Sequence, residues 1–174
     1  MNDFKKFVRD IPDFPKKGIV FRDITTLLKH KETYRQVIDA FYDHYKRRSI
    51  DVVIGIEARG FLLAASLAYK LGAGLVPVRK PGKLPAEALR VEYDLEYGKD
   101  ALEIHRDAIG EGQRVLIVDD LLATGGTISA TCEMVEKLGG HIVGIAFLIE
   151  LDFLKGRKKL TGHEVWSLIH YETE

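Results

Sequence analysis

Two kinds of hydrophobic pattern take turns along this chain. In "TYRQVIDAFYDHYKRR" the residues Tyr34, Val37, Ile38, Phe41, Tyr42 and Tyr45 recur every three or four positions, which predicts an amphipathic helix. "DVVIGIEARG" is instead a short β-branched run ending in a polar turn, and so reads as a strand. The apolar helix "FLLAASLAYKLG" follows, with Gly72 as its expected stop. "AGLVPVRK" and "RVLIVDD" read as strands, and "TISATCEMVEKLGG" as a helix with Ile128, Thr131, Cys132, Val135 and Leu138 on one side. "HIVGIAFLIE" and "HEVWSLIH" complete a set of five strands.

Strands that are apolar almost throughout are covered on both faces, and their alternation with helices implies parallel pairing. The predicted fold is therefore α/β: a doubly wound, mainly parallel, twisted sheet with helices on both faces and right-handed crossovers. The pattern breaks between Lys80 and Gly112, where prolines, glycines and charges surround short alternating runs such as "LRVEY" and "LEIH". That stretch reads as a partly strand-forming insertion, with a flexible flap over roughly residues 80–100 inside a single domain spanning 1–174.

Composition narrows the picture. The 174 residues are 46% hydrophobic and 30% charged, which suits a folded domain with a sizeable core. Lys plus Arg equals Asp plus Glu at 26 each, so net charge gives no reason to expect nucleic acid or an anionic membrane as partner. Cys132 is the only cysteine, which excludes an internal disulfide and agrees with a reducing compartment. The longest apolar run, "HIVGIAFLIEL", is too short to span a bilayer, and the start lacks a signal-peptide core. The expectation is a cytoplasmic protein.

The chemistry gathers at strand ends. In open α/β sheets ligands bind beyond the carboxyl ends of the strands. Three polar turns follow three predicted strands: Glu57-Ala58-Arg59-Gly60, Arg79-Lys80-Pro81-Gly82-Lys83, and Asp119-Asp120 leading into Ala123-Thr124-Gly125-Gly126-Thr127. A glycine-rich turn before a helix offers backbone N–H groups and the positive end of the helix dipole to a phosphate. It is neither a Walker loop nor a G-x-G-x-x-G turn. Asp119 and Asp120 would repel that phosphate unless they hold something else, such as ribose hydroxyls or hydrated Mg²⁺. Successive side chains alternate along a strand, so both can face one site only if the strand has ended before them.

"VLIVDDLLATGGT" resembles the phosphoribosyl-pyrophosphate motif of the type I phosphoribosyltransferases. "IPDFPKKGIVFRDIT", "GIEARGF" and "RKPGKLP…YDLEYGKDALEIH" are similar to the adenine-using branch of that family, and the resemblance covers essentially the whole chain. It implies transfer of phosphoribose from phosphoribosyl pyrophosphate to adenine, giving AMP and pyrophosphate with Mg²⁺ held mainly through substrate oxygens and water. By the same resemblance, Ala123, Thr124, Gly125, Gly126 and Thr127 cradle the 5-phosphate, and Asp119 and Asp120 hold the ribose hydroxyls. Arg59 takes the pyrophosphate, with Arg79, Lys80 and Lys83 helping, while Val20, Phe21 and Arg22 form the adenine pocket. Glu96 is the carboxylate expected beside the reacting centre, and Tyr97 helps to close the site. A homodimer is implied, with neither nucleic acid nor membrane as partner. Three other readings stay open at this point: a phosphoribosyltransferase for another base, a non-catalytic sensor of phosphoribosyl pyrophosphate, and a nucleotide-binding structural module.

Overall fold

A computed structural model describes residues 3–94 and 99–173. Its centre is a five-stranded sheet in the order β4-β3-β7-β8-β9, formed by β3 (Val52–Ile56), β4 (Gly74–Val78), β7 (Arg114–Leu122), β8 (His141–Leu151) and β9 (Val165–Tyr171). Every neighbouring pair in it is parallel. Alternation along β7 shows why these strands read as unbroken apolar runs. Val115 and Ile117 enter one core while Leu116 and Val118 enter the other, so each face of the strand is buried.

The two cores are covered differently. On one face lie α1 (Thr25–Lys29), α2 (Lys31–Tyr45) and α3 (Gly60–Leu71), which bury Leu27, Val37, Phe41, Leu63 and Leu67 against the sheet. The residues expected to line the inner side of α2 do so, and Gly72 ends α3 in the left-handed conformation at φ 69°. On the other face α4 (Gly126–Lys137) shares the cover with an antiparallel hairpin, β5 (Ala88–Asp94) and β6 (Lys99–His105). The insertion thus contributes Val91, Leu102 and Ile104 to the core, and an Arg79–Glu103 bridge ties it to the end of β4. A second small antiparallel pair, β1 (Arg9–Ile11) with β2 (Phe21–Asp23), was not foreseen from the pattern. Three-residue strands carry too little periodicity to be seen.

The connections make a switch point. From β3 the chain winds outward through α3 to β4, then returns to lay β7 on the other side of β3 and proceeds to β8 and β9. The turns after β3 and β7 therefore leave adjacent parallel strands in opposite directions, opening a crevice at their carboxyl ends. Among the described residues, no helix is long and apolar enough to cross a membrane.

Candidate active site

The acidic pair lies in this crevice. β7 runs on through both residues to Leu122, with Asp119 in register with Phe147 and Leu121 with Ile149, so the strand does not end before them. They are nevertheless mutual neighbours, because Asp119 Oδ1 turns back to accept the Asp120 backbone N–H at 2.9 Å. Both are buried, at 9% and 7% exposure. Burial, and then the neighbouring Asp120 charge, hold the Asp119 carboxyl well above the ordinary carboxylate range. Asp120 is raised by its burial, with Arg59 pulling the other way. The start of α3 presses directly on the pair. A Cβ at Gly60 would lie 2.6 Å from Asp119 Oδ1, so any larger residue after Arg59 would displace that carboxylate.

Arg59 joins the two turns and the N-terminal hairpin. Its Nη2 lies 2.6 Å from Asp120 Oδ2, its Nη1 donates to the Arg22 carbonyl at 3.2 Å, and its guanidinium sits 4.7 Å from the centre of the Phe21 ring. The contact with Asp120 is close but poorly directed, and Asp120 Oδ2 is a buried oxygen with no aligned donor. Such an oxygen suits a sugar hydroxyl or the water shell of a divalent cation, either of which would favour the ionised carboxylate. Arg59 follows a cis peptide between Glu57 and Ala58.

The turn after β7 is built almost entirely from backbone. Leu121 to Ile128 enclose a small cavity of about 70 Å³ at the start of α4, a space scaled to a phosphate rather than a ring. Gly125 precedes the helix at φ 81°, a left-handed conformation that favours glycine, and the turn leads straight into the free N–H groups of the α4 N-terminus. Beneath it lies Gly156, from the connection between β8 and β9. A Cβ at Gly156 would come 2.1 Å from the Ala123 carbonyl oxygen, and one at Gly125 would come 2.5 Å from the Gly156 carbonyl oxygen. Two glycines 31 positions apart thus allow two backbones to touch. The first stands out in the sequence within a glycine-rich turn, whereas the second is a lone glycine inside the charged stretch "FLKGRKKL".

The predicted base-side residues are only partly brought together. Val20 and Arg22 line one cavity of about 370 Å³ together with Thr124, Leu151, Phe153 and Leu154. Phe21 stands at Arg59, with the Phe14 ring edge-on 5.2 Å away. Arg22 contributes mainly its backbone. Its guanidinium turns to Asp10 at 2.7 Å and lies over the Tyr171 ring at 4.0 Å. A larger groove, about 700 Å³, lies between α2 and α3 against Tyr34, Ser66 and Tyr69. It has no buried acid and no converging backbone amides, so size alone is a poor guide to the chemistry here.

Two of the three cations predicted to flank the pyrophosphate are already paired. Arg79 donates to Glu57 Oε1 at 3.0 Å and Oε2 at 3.2 Å, and Glu57 also accepts the Lys80 backbone N–H at 2.9 Å. Arg79 first, and then that N–H, lower the Glu57 carboxyl. Lys80 Nζ is paired with Asp100 on β6 and donates to Tyr93 Oη on β5 at 3.1 Å. Lys83 is exposed, and its carbonyl accepts from Arg79. Glu57, Asp100 and Tyr93 were not foreseen as partners, because the hairpin register that aligns Tyr93 with Asp100 is a tertiary fact. Glu96 and Tyr97 lie outside the described residues. Glu150, Asp152 and His170 cluster closely enough to hold a metal, but Glu150 already receives Arg157 and Ser167.

A parallel sheet with a backbone anion turn and an acidic pair at its switch point defines a class, and comparison with known proteins agrees with it. Residues 23–167 match the model of the phosphoribosyl transferase domain, and the chain belongs to that family. It is 62% identical over 172 residues to the adenine phosphoribosyltransferase of Solibacter usitatus, covering 99% of both chains. The crystal structure of adenine phosphoribosyltransferase from Thermoanaerobacter pseudethanolicus superposes with a TM-score of 0.95 at 58% identity, over 97% of this chain and 98% of that one. The Saccharomyces cerevisiae enzyme, solved with adenine and an imino-altritol bisphosphate, gives a TM-score of 0.90 at 42% identity over 95% and 96% of the two chains.

Proposed function

We propose that this protein transfers phosphoribose from 5-phosphoribosyl 1-pyrophosphate to adenine, forming AMP and pyrophosphate. The carrying observation is the meeting of a backbone anion turn, a buried acidic pair and Arg59 at one switch point, in a chain similar along almost its whole length to adenine phosphoribosyltransferases. In the reaction the C1–O bond to pyrophosphate breaks, a bond from adenine N9 to C1 forms, and the base loses its N9 proton. Charge accumulates on the departing pyrophosphate and positive character on the ribose, so positioning and electrostatics supply most of the acceleration.

The residues divide that work. The 123–127 turn holds the 5-phosphate through N–H groups, while Asp119 and Asp120 accept from the ribose hydroxyls, with Arg59 receiving the leaving group. Arg79, Lys80 and Lys83 approach the pyrophosphate by exchanging Glu57 and Asp100 for it. Val20 and Phe21 receive the base, with Arg22 supplying backbone groups. Mg²⁺ would neutralise charge on the pyrophosphate when bound, held mainly through substrate oxygens and water, and Asp120 Oδ2, which lacks an aligned donor, would be suited to accept from such a water. The flap of residues 80–100 closes over the reacting centre, excluding water. The working form is a cytoplasmic homodimer.

AMP formation from phosphoribosyl pyrophosphate and Mg²⁺ should be assayed with adenine, hypoxanthine, guanine and xanthine in parallel. Turnover with adenine alone is expected. Turnover with an oxopurine would leave the phosphate site standing and overturn the base assignment, and binding without turnover would favour a sensor. Glu96→Gln is expected to lower kcat by about a hundredfold or more with KM little changed, as for loss of a group acting on a proton in flight. An equal loss in both would make Glu96 a binding residue.

A further inference from the structure

The connection between β8 and β9 reaches two parts of the active site at once. Its Gly156 backbone underlies the Ala123–Gly125 turn, and its Phe153 and Leu154 wall the cavity that Val20 and Thr124 share. What fixes this connection is a guanidinium. Arg157 donates from Nε to Glu150 Oε1 at 2.9 Å, from Nη2 to Glu150 Oε2 at 2.5 Å, and from Nη1 to the Val165 carbonyl at 2.7 Å. All three bonds run to the ends of β8 and β9, so the turn between them is pinned from both strands. Glu150 is 4% exposed and in register with Leu122, the residue just before the phosphate turn. Ser167 Oγ completes its coordination at 2.6 Å. Burial opposes the Glu150 charge, but Arg157 and Ser167 outweigh it and leave the carboxyl below its ordinary value.

From this geometry, and resting on the transferase reading above, we propose that Arg157 is a positioning residue for the reaction. Its fork on Glu150 sets the height of Gly156 beneath the phosphate turn and the position of the Phe153–Leu154 wall beside the base. A planar fork suits these three contacts, because an ammonium's donors radiate from a single nitrogen and cannot span both carboxylate oxygens and the Val165 carbonyl in that fixed geometry. Losing it would loosen the 5-phosphate and base subsites together, leaving the pyrophosphate end on α3 and the hairpin untouched.

AMP occupies the first two subsites and pyrophosphate the third, so binding of each to the full chain separates them. Arg157→Met should retain the wild-type far-UV spectrum at low temperature and bind AMP about tenfold or more weakly, in keeping with the cost of a sub-ångström displacement. Pyrophosphate with Mg²⁺ should bind within about twofold of wild type, because its contacts lie elsewhere. Arg157→Lys should lie between wild type and Arg157→Met for AMP. If Arg157→Met does not fold, Glu150→Gln and Arg157→Lys carry the same comparison. Equal weakening of both ligands, or unchanged AMP binding in a folded variant, overturns the proposal. Failure of the wild-type chain itself to bind AMP sinks the transferase reading instead, and the proposal with it.

Discussion

The two ends of the crevice are built to meet negative charge in opposite ways on the proposed reading. At the 123–127 turn there is hardly a side chain to move: glycines, a helix start and a second backbone under the first make a tightly packed turn, which on the proposed reading seats the 5-phosphate. At the other end the anion would meet Arg79, Lys80 and Lys83, of which the first two are already spoken for by Glu57 and Asp100. The 5-phosphate is carried through the reaction unchanged, and a fixed cradle suits a group that must not move. Pyrophosphate gains charge and then departs, and an end built from exchangeable ion pairs can tighten on it and still release it. Rigid N–H donors serve for anchoring, and replaceable cations serve for leaving.

The sharpest way to break the contrast is to crowd the rigid end. Gly125→Val places a branched side chain at φ 81° and within 2.5 Å of a carbonyl oxygen. It should lower kcat/KM by at least about a hundredfold, chiefly through KM for phosphoribosyl pyrophosphate. Undiminished substrate affinity would show that the turn is no cradle. Asp120→Asn comes next. Removing a buried charged acceptor beside Arg59 should lower kcat/KM by roughly ten- to a hundredfold, the range for a hydrogen bond to a charged group. Steady-state kinetics at wild-type levels would remove the acidic pair from the site.

The exchangeable end should answer more softly. Asp100→Asn removes the carboxylate that pairs with Lys80 and leaves its bond to Tyr93, and since the pair is partly exposed the change in KM should stay within about fivefold. Its diagnostic is salt: the variant's KM should rise more steeply with ionic strength than the wild type's. Parallel salt curves would mean that Lys80 does not meet the anion. The smallest effect tests a fixed contact outside both ends. Asp23 on β2 is lowered to about 2 from its ordinary 3.8, first by the Thr25 backbone N–H and further by Arg9, against burial. A depressed carboxyl contributes stability that is present above about pH 3.8 and lost as pH falls toward about 2. The Tm advantage of wild type over Asp23→Asn should amount to a few degrees at pH 5 and shrink over that window. A constant difference would place the effect in packing instead.

Much of this was legible before any coordinates. The five-strand parallel sheet could be read because its strands are apolar on both sides and its helices on one, so periodicity carried the signal. The glycine turn before α4 was legible because glycines and a helix start share one short stretch. What escaped was whatever depends on two distant segments meeting. Gly156 looked like an ordinary loop glycine, Glu57 like part of a basic turn, and Asp100 like one more hairpin charge. Arg22 misled for the opposite reason. It lines the same cavity as Val20, but the sequence did not show that its guanidinium would be buried against Tyr171 and bonded to Asp10. The proximity of Asp119 and Asp120 within a continuing strand was also hidden, since it depends on one side chain folding back to a backbone N–H.

Gly156 also bears on how this fold can vary over time. A surface connection between two strands is ordinarily where a lineage experiments with length, since extra residues there disturb little. Here that freedom is withdrawn. Any residue added between Lys155 and Leu160 would shift the glycine from beneath Ala123 or pull Leu160 from the core. A stretch that looks like an adjustable spacer is held to a fixed length by a turn it never joins in sequence.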